Sequence, residues 1–106
     1  MTTRFGLSED DISRLCQVFE RYPRVEQVLV YGSRAKGTHR PGSDIDLTVK
    51  GELDWQVFNQ LTIELDDLLL PYQIDLSIYQ HIENDELKAH IQRHGQAVYA
   101  RSGSRP

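Results

Sequence analysis

Three aspartates stand where a β-strand would not ordinarily carry them. Asp44 and Asp46 open the run DIDLTVK, and Asp75 sits inside QIDLSIY. Aspartate is depleted in strands, and each of these is flanked by apolar residues. Residues i and i+2 of a strand point the same way, so Asp44 and Asp46 converge. Like charges held together repel unless a cation lies between them. Mg²⁺ suits such a place, because it takes hard oxygen ligands from one or two carboxylates and completes its shell with substrate phosphates. If the strand around Asp75 lies beside the strand of Asp46, the third carboxylate joins the site. Solvent-facing acids on an exposed sheet face would give the same D-x-D pattern.

A second group with chemistry precedes them. Gly32-Ser33 follows the apolar run VEQVLVY. Glycine lets backbone approach a ligand closely, and the N–H groups at a helix start can hold phosphate. Arg34 and Lys36 add positive charge nearby. The plain alternative is a strand-to-helix turn with an N-cap serine.

These residues need a scaffold, and the hydrophobic pattern supplies one. Ile12, Leu15, Phe19 and Tyr22 recur at helical steps, so a helix is predicted from about Glu9 to Tyr22, capped by Ser8 and stopped by Pro23. Val25–Tyr31 reads as a strand, and Ser33–Lys36 as a short helix. The segment from Thr38 to Ser43 holds Pro41-Gly42 and reads as a loop. In Asp44–Lys50, Ile45, Leu47 and Val49 alternate with Asp44, Asp46 and Thr48, the pattern of a half-buried strand. Asp54 caps a helix whose stripe is Trp55, Phe58, Leu61, Leu65 and Leu68/Leu69, closed by Pro71. Gln73–Tyr79 alternates again, with Ile74, Leu76 and Ile78 inward. A last helix from about Asp85 to His94 ends at Gly95, and Gln96–Ala100 is a short closing extended piece. The fold class is α/β (α+β): a small mixed β-sheet with helices packed on one face, the acid-bearing face left open as a cleft.

Bulk properties set the frame. With 106 residues, the chain is one domain, 1–106, with a loose polar start and a flexible tail at about 101–106. Twelve basic and sixteen acidic residues give a net charge of −4, which speaks against a free nucleic-acid partner without excluding a local basic strip. The single cysteine, Cys16, reads as a packing residue. No segment is apolar enough to span a bilayer and the start has no signal-peptide core, so no membrane role and a cytoplasmic location are expected.

Other candidates are weaker. His90 and His94 are spaced i, i+4, but Ile-Gln-Arg between them lacks a metalloprotease glutamate; they read as solvated. His39 and Arg40 read as exposed loop residues. Trp55, Tyr72 and Tyr79 offer rings for a base, with Trp55 assigned to the core.

Taken together, Gly32-Ser33, the ten residues Arg34–Ser43, and Asp44-Ile45-Asp46 resemble the G-S-x₁₀-D-x-D signature of the polymerase-β-type nucleotidyltransferase superfamily. The match takes in the strand ending at Tyr31 and the later Ile74-Asp75-Leu76. The short length resembles the minimal nucleotidyltransferase branch, the antitoxin partners of HEPN-domain toxins, and Glu86–Tyr99 is similar to the helix-glycine-strand ending of that branch. The resemblance implies a polymerase-β-like core, Mg²⁺, ATP as donor, and transfer of AMP to a hydroxyl of a HEPN-domain toxin. It implies phosphate contacts by Gly32 and Ser33, with Arg34 and Lys36 as further phosphate contacts; Lys36 stands where the wider superfamily often has arginine. It implies that Asp44 and Asp46 hold metal, and that Asp75 completes the metal site and takes the acceptor's proton. Two other readings stay open: a non-catalytic antitoxin that covers its partner, and a nucleotidyltransferase acting on a small molecule or an RNA end.

Overall fold

The computed structural model describes residues 3–37 and 44–101. The loop residues His39, Arg40 and Pro41-Gly42, and residues 102–106 of the tail, lie outside the described residues. The chain begins with a hairpin, β1 (Thr3–Arg4) and β2 (Leu7–Ser8). It continues through α1 (Glu9–Glu20), β3 (Gln27–Tyr31), α2 (Ser33–Lys36) and β4 (Ile45–Lys50). Next come α3 (Trp55–Asp66), β5 (Ile74–Ile78), α4 (Asp85–His94) and β6 (Gln96–Ala100).

β3 to β6 form one sheet in the order β5-β4-β3-β6. β4 and β5 run parallel; β3 runs antiparallel to both β4 and β6. The sheet is therefore mixed, as the sequence predicts. The parallel pair needs a crossover, and α3 lies in it.

Alternation places the core. Ile45, Leu47 and Val49 of β4 and Val28 and Val30 of β3 are fully buried. They meet Ile12, Leu15, Val18 and Phe19 of α1 and Leu61 and Leu65 of α3. Each such side chain contributes about 1.5–3 kcal/mol on leaving water. The helices start on schedule: Ser8 Oγ accepts from the Asp11 N–H at 3.1 Å, and Asp54 Oδ1 from the Val57 N–H at 2.8 Å. Both caps satisfy donors that the first helical turn leaves open.

Four expectations need correction. Not every helix shares one face: α1 and α3 do, but α4 packs on the other, where Ile91 and Leu87 meet Leu29 and Tyr31. The reason is parity, since Leu29 and Tyr31 point opposite to Val28 and Val30. Trp55 is not core; it is 63% exposed, edge-on to Phe58 at 5.6 Å and beside His81 at 5.3 Å. It precedes Leu61 by six residues, which is about 120° around the helix. Arg101 is not loose: its side chain donates to Tyr22 O at 2.8 Å and to Val25 O at 3.1 Å. At the other end, the hairpin replaces the expected loose start, because Leu7 is drawn wholly into the core. Cys16 is half-buried against the same core. Among the described residues, no helix is long and apolar enough to cross a membrane.

Candidate active site

The parallel pairing of β4 and β5 decides where the acids fall. Ile45 N–H donates to Gln73 O at 2.8 Å, which sets the register. Asp46 then stands directly beside Asp75, and Leu47 beside Leu76. Neighbouring strands lie about 4.8 Å apart, so the two carboxylates rise side by side from the face opposite the main core. Asp44, immediately before β4, adds its charge to Asp46. Below them, Thr48 Oγ1 donates to Ser77 O and Ser77 Oγ to Leu47 O, each at 3.4 Å, which stitches the strands together beneath the acids.

The electrostatics follow from this crowding. Burial pushes the Asp46 carboxyl above the usual carboxylate range, and the charges of Asp75 and then Asp44 push it further; Arg34 and His90 act against the rise. Tyr31, the cross-strand partner of Asp46, is raised by burial first, with Asp46 and Asp75 adding to it and a hydrogen bond with Ser77 opposing. Concentrated negative charge with hard oxygen donors fits a divalent cation. Among the described residues, no three His, Cys, Asp or Glu side chains close into a ready metal cage. Mg²⁺ does not require one, since it takes several ligands from substrate phosphates and water.

Gly32 is caught between two side chains. Its φ is 77°, and a Cβ there would meet Asp46 Oδ2 at 2.6 Å. On its other side, the Gly32 N–H donates to His90 Nε2 at 3.0 Å. The first donor of the turn is thus engaged by protein, which does not fit the expectation that it contacts a phosphate. Ser33 opens α2 with an exposed side chain, and Gly37 closes that single turn at φ 78°.

The two cations of this segment part company. Arg34 is 3% exposed. Its Nη1 donates to Phe5 O at 2.7 Å, its Nε to Asp44 O at 3.2 Å, and its guanidinium lies 4.8 Å over the Tyr72 ring. It faces inward, so the expected phosphate contact does not fit, and it instead holds the backbone that delivers Asp44. Lys36 is exposed and borders a cavity of about 410 Å³ with Glu86, His90, Arg93 and His94. The rings offered for a base already face cations: Tyr72 lies under Arg34, and Tyr79 under Lys50 at 4.8 Å.

His90 is the residue that spacing missed. It is half-buried rather than solvated, edge-on to Tyr31 at 6.3 Å and tilted on His94 at 5.1 Å. Burial lowers its pKa, as do the charges of Lys36 and His94, while Asp46 opposes them. The signal lay in the run VLVY: four apolar residues without alternation require cover on both faces, including the acid-bearing one.

An acid pair held in register on a mixed sheet, one member packed against a glycine turn, fits a phosphate-transfer enzyme of the nucleotidyltransferase class. Residues 13–104 match the profile of the family described as Polymerase beta, Nucleotidyltransferase, and the chain belongs to that family. No curated protein gives a significant match. Among solved structures, the chain is similar to a toxin–antitoxin with AMP-PNP, at 23% identity over 92% of this chain and 77% of that one, with TM-score 0.66. It is also similar to a chain of the toxin–antitoxin MntA-HepT, at 16% identity over 89% and 74%, with TM-score 0.65. A third is a complex of a tri-AMPylated Shewanella oneidensis HEPN toxin with its MNT antitoxin, at 17% identity over 88% and 72%, with TM-score 0.64. At these identities the likeness is one of fold.

Proposed function

We propose that this chain is a Mg²⁺-dependent nucleotidyltransferase that moves AMP from ATP to a hydroxyl of a partner protein, a HEPN-domain toxin, and so acts as its antitoxin. The observation that carries the reading is Asp46 in register with Asp75, with Asp46 packed against the turn at Gly32. Family membership supports nucleotidyl transfer. The fold shared with an MNT antitoxin bound to a tri-AMPylated toxin supports the choice of acceptor, and the fold shared with a chain crystallised with AMP-PNP supports ATP as donor.

In this reading the acceptor oxygen forms a bond to the α-phosphorus as the bond to the bridging oxygen breaks, and pyrophosphate leaves. Asp75, exposed at the edge of the sheet, receives the acceptor's proton. Asp44, Asp46 and Asp75 hold the divalent ion, which when bound offsets charge developing on the attacking and leaving oxygens. Ser33 and Lys36 hold the outer phosphates. Gly32 shapes the turn and Arg34 holds Asp44 in place.

A second reading, neutralisation by covering the partner, draws on Trp55, Ile63 and Leu69, which are exposed apolar side chains on and just after α3. Incubation with the partner toxin, labelled ATP and Mg²⁺ tests the first reading; label on the toxin supports it, and label only in RNA or small molecules sinks it. An Asp44→Asn/Asp46→Asn variant that neutralises the toxin at equal dose would establish covering instead.

A further inference from the structure

His90 belongs neither to the acid trio nor to the Gly-Ser pattern, yet it is the side chain that grips the turn. We propose that His90 is a positioning residue: it moors the Gly32–Ser33 turn to α4 and thereby sets where that turn stands relative to Asp46 and Asp75. The inference rests on the nucleotidyltransferase reading of that site.

The turn cannot hold itself. α2 is a single turn of four residues, and no side-chain hydrogen bond caps its start. Gly32 sits at φ 77°, a conformation with little intrinsic preference over its alternatives for glycine. Contacts from outside the segment must fix it: the helix after the turn is tied through Arg34 to Phe5 O and Asp44 O and through Ala35 O to Gln96, and two contacts meet Gly32 itself. Asp46 Oδ2 fills the space where a side chain would be. On the other side, His90 Nε2 accepts the Gly32 N–H at 3.0 Å.

The mount behind His90 is firm. Ile91, the next residue of α4, is 1% exposed and packs with Leu29 and Tyr31 of the central strand β3. Asn84 caps the helix by accepting from the Leu87 N–H at 3.1 Å. The imidazole is steadied between Tyr31 and His94. An Nε2 that accepts a hydrogen bond carries no proton, so it is the lone pair of the ring that does the work. The chain thus runs from β3 through α4 and back to the turn that follows β3, closing a loop around the site.

A histidine that merely fills space would need its ring; one that moors the turn needs its acceptor atom. Two variants separate these. His90→Phe keeps a ring against Tyr31 and removes the acceptor. His90→Gln loses the ring and places an amide oxygen where Nε2 stands. The readouts are hydrogen exchange of the Gly32 amide by NMR, and kcat and KM for ATP in transfer to the partner. In His90→Phe, the Gly32 amide should exchange at least about tenfold faster while the Leu29 and Ile91 amides hold their rates. Its kcat should fall about tenfold or more with Tm little changed, because a misplaced turn costs alignment. His90→Gln should stay nearer to wild type in both readouts. If His90→Phe keeps the protection of Gly32 and the wild-type kcat while His90→Gln loses them, the ring is only packing and the proposal is wrong. A wild-type protein that transfers no nucleotide would overturn the enzymatic reading, and the exchange rates would then decide the mooring by themselves.

Discussion

Gly32 lies so close to Asp46 that a single added carbon would stand 2.6 Å from its Oδ2. The turn and the acid pair are one packed unit, and a change in either is felt by the other. Gly32→Ala must push the carboxylate aside and also hold an L-residue at φ 77°. A loss of about 1–3 kcal/mol in stability is expected from the backbone strain. Transfer should fall by about a hundredfold or more, since a displacement of order an ångström in a reacting site has that effect. Urea denaturation and a labelled-ATP assay measure the two quantities.

Asp46→Asn should separate stability from function. Burial and the charges of Asp75 and Asp44 all disfavour the ionised Asp46, so the neutral amide should leave the metal-free fold equally stable or more stable. The wild type should gain Tm when Mg²⁺ and a non-hydrolysable ATP analogue are added, and the variant should not. Thermal melts with and without the pair make the comparison. A variant with an undiminished ligand-induced gain would remove Asp46 from the metal site.

Arg34 and Lys36 should behave oppositely, though both are cations of the same short segment. Arg34→Ala empties a buried site and strips the carbonyls of Phe5 and Asp44 of a donor, a loss of about 2–4 kcal/mol. Arg34→Lys should recover little of it, because an ammonium cannot reproduce the planar fork. Lys36→Ala should leave stability within about 0.5 kcal/mol, and raise the KM for ATP. Equilibrium unfolding of the three variants, with ATP titrations for the last, tests the contrast.

Alkaline pH should weaken the fold through Tyr22. Its hydroxyl donates to Glu64, and its pKa is pushed up to about 12, chiefly by burial and then by the hydrogen bond and charge of Glu64. A pKa raised on folding gives stability that is whole below the ordinary tyrosine value of 10.0 and is lost as pH climbs from there towards 12. Wild type should therefore lose more stability than Tyr22→Phe across that window. Equal slopes of urea midpoint against pH would show that the Glu64 contact carries no such coupling.

Much of the architecture is legible in the sequence, and the reasons differ by element. Ile45, Leu47 and Val49, like Ile74, Leu76 and Ile78, declare their face because a strand whose other face is polar must alternate. That same rule places Asp46 and Asp75 on one surface, although only the pairing register shows them side by side. β3 does not alternate, and VLVY does not itself say which element covers it on the acid-bearing face; that is α4. The inward turn of Arg34 left no trace in sequence, because its partners Phe5 O and Asp44 O are backbone atoms that every residue possesses. The role of His90 is hidden from spacing for a related reason: its donor is the Gly32 N–H, across 58 positions of chain.

The place of β5 in the sheet has one more consequence. Among the described residues it is an outermost strand, hydrogen-bonded to β4 alone, while Asp46 lies on a strand flanked on both sides. Border strands are the parts of a sheet that peel away at lowest free energy. Transient fraying of β5 would carry Asp75 away from Asp46 and lift Ile74, Leu76 and Ile78 from the rim of the core, while β3 and β4 stay paired. The working lifetime of the three-acid arrangement is then governed by its weakest margin, and heat should silence the molecule some degrees before it melts.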